Sequence, residues 1–280
     1  MTNLGAIFLP SNPPEQLLEV ARVADRSGLD QLWLWEDSFL NSGIAAAAAA
    51  LGATERLKVG IGLMPVPFRN VALTAMEIAT LHRIFGERSM PGVGHGVQEW
   101  MGQVGARAAS PLTLLREHLT ALRALLAGEE VTVDGRYVKL DKVKLDWPST
   151  PAARVWVGAT GVKTRAIAGE LGDGTILEGG TPPEGVRTAI EQINPGPGHD
   201  IVAFVPAATG PGADESLARL QEKYGAAWPG LSGDAKAIAE GVAAFAAAGA
   251  TTVVLQPTGE EESPESFVRF VAEEVRPLVA

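Results

Sequence analysis

The chain predicts a (β/α)8 TIM barrel, and three observations carry that prediction. Short apolar segments alternate with helix-patterned segments along nearly all of its 280 residues, the mark of a parallel sheet. The strand segments number eight, which closes such a barrel. Glycine-rich or polar clusters stand at their C-terminal ends, where barrels of this kind carry their sites. A doubly wound open sheet is the runner-up. It is weakened because the segment GVGHG is followed by Val97, which breaks the G-x-G-x-x-G dinucleotide pattern, and no acidic residue is placed for a ribose. Residues 1–280 are expected to form a single barrel domain.

Residues 5–9 (GAIFL) read as the first buried strand. Residues 10–14 make a turn, and 15–27 have helical spacing with Leu17, Leu18, Val20, Ala21 and Ala24 inward, closed by Gly28. Residues 31–35 (QLWLW) are the second strand; Trp33 and Trp35 share one face and are expected in the core. An Ala-rich helix over 43–53, a third strand over 58–63, a long helix over 70–85 and a fourth strand over 89–93 follow. A loop carrying His95, Gln98, Glu99 and Trp100 leads to the helix over 112–126, with Ser110 as N-cap and Pro111 opening the first turn. VTVDGRYVKL then reads as a small β-hairpin turning at Asp134-Gly135, an excursion from the barrel after the fourth strand–helix unit. Alternation resumes with strands over 154–157, 173–177 and 200–205 and helices Val162–Leu171 and Pro183–Ile193. Residues 207–231 are punctuated by Gly and Pro around one helix, 214–224. A helix over 232–248 capped by Ser232 or Asp234, a strand over 251–255 and a helix over 264–278 complete the alternation.

Composition narrows the function classes. The formal net charge of −10, with no cluster of Lys and Arg, argues against a nucleic-acid partner. The absence of cysteine removes disulfides, thiolate catalysis and Cys-ligated metal sites. Residues 1–15 lack the basic-then-apolar pattern of a signal peptide, and the Ala-rich run at 44–51 is too short to span a membrane. A cytoplasmic location is expected.

Read as a barrel rim, the strand ends are Glu36-Asp37-Ser38, Met64-Pro65, Gly94-His95-Gly96, Gly158-Ala159-Thr160-Gly161, Glu178-Gly179-Gly180, Pro206 and Gln256-Pro257. This rim is rich in glycine and poor in charge, which suits a bulky planar ligand held by backbone. Gly158–Gly161 precedes a helix, so its free N–H groups either take a phosphate or make an ordinary βα turn. Asp37 binds ligand or caps the next segment. His95 is the histidine at a strand mouth; His82 and His118 lie within helices and read as structural. The four histidines are scattered, so no metal site is expected, which argues against a metal-dependent hydrolase, and no G-x-S-x-G elbow marks a serine hydrolase. Trp100 stacks on a ring or covers the core edge, Gln98 and Glu99 face substrate or solvent, and Arg69 faces ligand or the helix surface.

Four segments carry a resemblance covering nearly the whole chain: LWLWEDSF, VGIGLMPVPFRNVALTAMEIATLHRIFGER, PGVGHGVQEWMGQVGARAASPLTLLREHLTALRALL and VWVGATGVKTRAIAGELGDGTIL. With them the chain resembles the luciferase-like flavin and deazaflavin oxidoreductases, nearest to the methylenetetrahydromethanopterin-reductase-like branch. The resemblance implies a (β/α)8 barrel with the ring of coenzyme F420, or alternatively FMN, at its C-terminal mouth. It implies that Asp37 with Ser38 lies at the ring. A non-prolyl cis peptide at Gly62-Leu63, with Met64 adjacent, would back the ring, and Gly94 and Gly96 would lie beside it. The phosphate would go to Gly158, Ala159, Thr160, Gly161 and Val162. Many relatives carry His where this chain has Ser38. Sugar-phosphate and alcohol dehydrogenases of the deazaflavin branch carry an acid where it has Val97, so their acid/base pair is missing.

The expected protein is thus an F420-dependent oxidoreductase acting by hydride transfer on a small organic substrate. His95 and Asp37 are its candidate catalytic residues, and Gln98, Glu99 and Trp100 face the substrate. An FMN-dependent monooxygenase and a nonenzymatic flavin-binding protein are the alternatives. Arg69 and Lys163 are the basic residues near the mouth that would suit the polyglutamate tail of F420. The stretch after the seventh strand is short where larger relatives insert a lid, so the pocket is either open or completed by a partner subunit, and a homodimer is expected.

Overall fold

Strands buried on both faces need a layer on each side, and the alternating sequence supplies both. The computed structural model describes residues 2–224 and 229–279. Its barrel strands are β1 (Asn3–Phe8), β2 (Gln31–Leu34), β3 (Lys58–Pro65), β4 (Ser89–Gly94), β5 (Trp156–Ala159), β6 (Gly174–Leu177), β7 (Asp200–Thr209) and β8 (Thr252–Gln256). All pair in parallel in chain order, and β8 pairs back onto β1, so the expected (β/α)8 ring closes. The helices are α1 (Leu17–Arg26), α2 (Gly43–Gly52), α3 (Val71–Phe85), α4 (Gln98–Gln103), α5 (Pro111–Leu126), α6 (Val162–Leu171), α7 (Pro183–Ile193), α8 (Ala213–Tyr224), α9 (Ala235–Ala247) and α10 (Pro264–Phe270). Asn70 caps α3 by accepting the Ala72 N–H at 2.9 Å, and Asp234 caps α9 by accepting that of Ala237 at 2.9 Å.

The hairpin after α5 forms its own two-stranded sheet from Val131–Asp134 and Lys139–Val143. Glu117 of α5 ties it down by accepting the N–H groups of Arg136, Tyr137 and Val138 at 2.8–3.0 Å.

Several elements differ from expectation. The stretch after β4 contains the short helix α4, hidden in sequence because QEWMGQ offers only one fully buried residue, Met101, and hence no periodic stripe. The Ser110 hydroxyl meets the Thr113 hydroxyl at 2.8 Å rather than a backbone N–H, so Ser110 does not cap α5 by its side chain. Strand β7 continues to Thr209 because Leu231–Gly233 pairs with Ala207–Thr209; that short strand takes Ser232 out of the helix, which starts at Ala235. The last helix ends at Phe270 and continues as a π turn over Val271–Val275 and a 3₁₀ turn over Arg276–Leu278. Of the Gly/Pro-punctuated stretch, residues 225–228 lie outside the described residues.

Two layers of core result. Outward strand residues pack on the helices, while Ile7, Trp33, Met90, Trp156, Ile176, Val202, Phe204 and Val254 fill the barrel interior, with Leu9 and Trp35 above them. Large rings fit because facing positions are glycine. A Cβ at Gly60 would lie 2.3 Å from Trp33 Cδ2, and one at Gly174 2.3 Å from Trp156 Cδ1. The Gly62-Leu63 peptide is cis, as the resemblance implies. The β3–β4 pairing skips between Ile61 and Met64, and in that gap Leu63 turns its side chain across the barrel mouth. A Cβ at Gly94 would lie 2.5 Å from Leu63 Cδ2, and one at Gly158 2.1 Å from it.

Filling one of those positions overpacks the mouth. Gly158→Ala is expected to lower stability by about 1–3 kcal/mol. Leu63→Ala in the same chain should relieve the clash, so the double variant loses less than the sum of the singles by about 1 kcal/mol or more. Urea midpoints of the four proteins test this; strict additivity would refute the packing argument.

A second expectation concerns His118, which is 1% exposed on the core face of α5, with Nε2 unpartnered. Burial pushes its imidazole down to about 4. The folded value lies below the ordinary 6.5, so the unfolded chain takes up the proton first. The neutral side chain therefore leaves stability intact above pH 6.5 and withdraws up to about 3 kcal/mol as pH falls to 4. His118→Leu should flatten the decline of stability between pH 6.5 and 4. Parallel curves for the two proteins would show that His118 is not its source.

Candidate active site

The C-terminal ends of β2 to β7 surround a cleft of about 310 Å³. Its floor is made of Trp35, Leu63, Ile176 and Phe204, with the Trp35 and Phe204 rings 6.0 Å apart. Trp35 Nε1 is buried and has no partner among the described residues. A donor left unpaired at the bottom of a cleft is costly unless a ligand or water meets it.

The loop after β2 is held from below. Glu36 is buried, forms a two-pronged ion pair with Arg69, and accepts the Gly43 N–H at 2.7 Å. Arg69 reaches on to Glu77 at 3.1 Å. Gly43 is required here, because a Cβ would stand 2.8 Å from Ile61 and 3.0 Å from Glu36. This network anchors the base of α2 and the strand end that carries Asp37. Arg69 is therefore a structural cation with its side chain 13% exposed, not a basic group at the mouth. Lys163 is exposed at the start of α6.

Asp37 faces the cleft half-buried, with no hydrogen-bond or ion-pair partner for its carboxylate among the described residues, and burial pushes its carboxyl above the ordinary range. His95 enters from the end of β4. Its Nε2 lies 3.2 Å from Thr164 Oγ1 of α6, its Nδ1 is buried without a partner, and burial pushes the imidazole below its ordinary range. Gly96, at φ 65°, turns the chain where a Cβ would strike Pro65 at 2.8 Å.

Of the other residues expected at the site, Gly62, Leu63, Gly96, Trp100, Gly158, Ala159 and Thr160 line the cleft. Gly161 and Val162 stand exposed just beyond it at the open N-terminus of α6. Gly94 lies under Leu63 instead. Met64 turns outward into the helix layer at 1% exposure, and Ser38 is buried beneath the loop with its hydroxyl unpartnered. Gln98 donates its amide to the carbonyls of His95 and Gly96, bracing the loop, and Glu99 is exposed outside the cleft lining.

Sequence reasoning placed Glu178 on the rim without a role and Trp35 in the core, and passed over Phe204 and Thr164. Glu178 directly follows β6, lines the cleft at an exposed position, and its carboxylate has no partner among the described residues; Thr181 holds the turn by donating to the Glu178 carbonyl at 2.9 Å. Its place at a strand end was the available signal. Thr164, on the helix after β5, had none.

The residues present fit a planar ring with a phosphate. The cleft pairs an apolar floor with the buried, unpartnered N–H of Trp35, and His95 lines its wall. It opens onto a helix N-terminus where a Cβ at Gly161 would meet nothing within 4 Å.

Comparison with known proteins agrees with this arrangement. The chain is 32% identical over 193 residues to 5,10-methylenetetrahydromethanopterin reductase of Methanolobus tindarius, a match covering 69% of this chain and 58% of that protein's length. It is 29% identical over 269 residues to the protein of that name from Archaeoglobus fulgidus, covering 95% of this chain and 76% of the relative. In fold, it superposes on an F420-dependent secondary alcohol dehydrogenase in complex with an F420-acetone adduct with a TM-score of 0.86, at 19% identity, over 100% of this chain and 99% of the other. The family model described as luciferase-like monooxygenase matches residues 2–251, and the chain belongs to that family.

Proposed function

We propose that this protein is an oxidoreductase that binds coenzyme F420 and transfers hydride to or from a small organic molecule. The observation that carries the reading is that Asp37 and His95 line the same cleft as Gly158, Ala159 and Thr160, the turn that leads into the N-terminus of α6. The similarity to F420-named relatives supports the choice of cofactor.

In this reading the N–H groups from Gly161 onward hold the phosphate, assisted by the positive end of the helix. Trp35, Leu63 and Phe204 support one face of the ring, and Trp35 Nε1 supplies a hydrogen bond. The bound group contributes hydride transfer at ring position 5. Asp37 donates or takes the accompanying proton, for which a carboxyl raised by burial is suited. His95, oriented by Thr164, presents Nδ1 to the substrate or ring. Trp100 closes the mouth against water.

Fluorescence titration of the purified protein with F420 should saturate at micromolar concentrations, with FMN weaker; the reverse order makes it an FMN enzyme, and binding of neither overturns the reading. Loaded protein should reoxidise reduced F420 when menadione is added, and Asp37→Asn should slow this by about 10²-fold or more while binding weakens far less. Binding without turnover by the wild type would make the protein a carrier.

The chain is further proposed to pair with a second copy of itself. Phe39, Leu40, Phe68, Leu73 and Met76 are exposed at 65, 56, 37, 46 and 56% on the side of the molecule next to Asp37, and the first four line one shallow depression. A patch of large apolar side chains beside a site suits an interface. Of the charges lining the same depression, Glu36, Arg69 and Glu77 satisfy one another, and Asp37 stands at its edge toward the cleft. Light scattering should give twice 29.2 kDa, and Leu73→Glu with Met76→Glu should return the single-chain mass. A monomeric wild type would refute it.

A further inference from the structure

The charges facing the cleft carry information about its substrate. Asp37 and Glu178 approach from opposite sides of the mouth, at the ends of β2 and β6, and neither carboxylate has a partner among the described residues. Glu36 adds no free charge, because Arg69 neutralises it. Among the described residues, no lysine or arginine lines the cleft. The Arg69 guanidinium is held by Glu36 and Glu77. His95 supplies no cation either, since burial disfavours its charged form. The remaining walls are Trp35, Trp100, Phe204, Leu63 and Ile176.

Resting on the oxidoreductase reading, we infer that the substrate is an uncharged or cationic molecule with an apolar face, and that phosphorylated and carboxylated molecules are excluded. A phosphate or carboxylate entering this cleft gives up water for apolar walls, finds no counter-charge, and meets the half-buried Asp37 carboxylate with the more exposed Glu178 at the rim. A neutral molecule loses little and gains contact with the aromatic walls. A cation gains the carboxylates and the faces of Trp35 and Trp100 as well. The cofactor's phosphate escapes this penalty because the α6 N-terminus lies at the rim, beside Lys163. Glu178 is the specificity-determining residue in this account: it faces the cleft without a structural partner, whereas Asp37 is assigned to proton transfer.

The test uses fragments of similar size that differ in charge at pH 7: benzylamine, benzyl alcohol and benzoate. Binding to the F420-loaded and unloaded protein is measured by saturation-transfer NMR. Benzylamine and benzyl alcohol are expected to bind at least tenfold more tightly than benzoate, and Glu178→Lys should abolish or reverse that order. If Glu178→Lys fails to fold by circular dichroism, Glu178→Gln should narrow the gap at least threefold. Benzoate binding as tightly as benzyl alcohol, all three failing to bind, or an order untouched by the folded Glu178 variant overturns the inference. Cofactor uptake is read separately by absorbance. A protein that takes up neither F420 nor FMN yet keeps the fragment order refutes the oxidoreductase reading while the charge selection stands.

Discussion

The barrel depends on a steric fit between large side chains and missing ones. Trp33 rests on Gly60, Trp156 on Gly174, Phe204 on Gly62, and Leu63 on Gly94 and Gly158. Interiors are packed at the density of organic crystals, so neither partner in these pairs changes alone without a void or a clash. Trp33 and Phe204 also meet edge to face with centroids 5.5 Å apart, and the Trp33 N–H is satisfied by Gln31 at 2.8 Å, which makes so large a ring tolerable at the axis. The floor of the cleft is the top of this stack. Its shape is therefore set by the same packing that fills the barrel interior.

Above that floor the rim is held by charge. A buried ion pair contributes little net stability once desolvation is counted, but removing one partner strands the other. The Glu36–Arg69–Glu77 chain thus acts as a positioning device. It joins the end of β2, the segment after β3 and the body of α3, and through Gly43 it also satisfies an N–H at the start of α2. Asp37 is the residue next to this anchor. Its own carboxylate is left unpaired while its neighbour is fully paired, and burial pushes the Asp37 carboxyl above its ordinary range.

What could be read from sequence follows from which signals are local. Strand positions were legible because buried strands are continuous apolar runs, and the helices because of their apolar spacing, with Asp234 as one of two cap candidates and Gly28 as a terminator. The mouth residues Asp37, His95 and Gly158 were legible as strand ends. The role of the glycines was legible only in part: a close approach at Gly94 and Gly158 was expected for a ligand, whereas the approaching group is Leu63 from another strand. Arg69 was misread for the same reason, since its partners Glu36 and Glu77 stand 33 and 8 residues away in the chain. Gln98 faces its own loop because its amide finds two carbonyls within reach, a choice that side-chain type alone does not disclose.

Val97 ties these strands of the argument together. It is 46% exposed at the mouth, lines the cleft, and directly follows the turn that Gly96 makes against Pro65. An acid at this position would stand on the same loop as His95. With valine there, the acids facing the cleft come from β2 and β6 instead, on strands that are not neighbours in the ring. Asp37 stands on the loop after β2 next to the buried Glu36–Arg69 pair, and Glu178 directly follows β6, whereas the loop after β4 is braced by the Gln98 amide. With the acids on those two loops, the loop after β4 presents Val97 and Trp100, an apolar side chain and a ring, to the cleft.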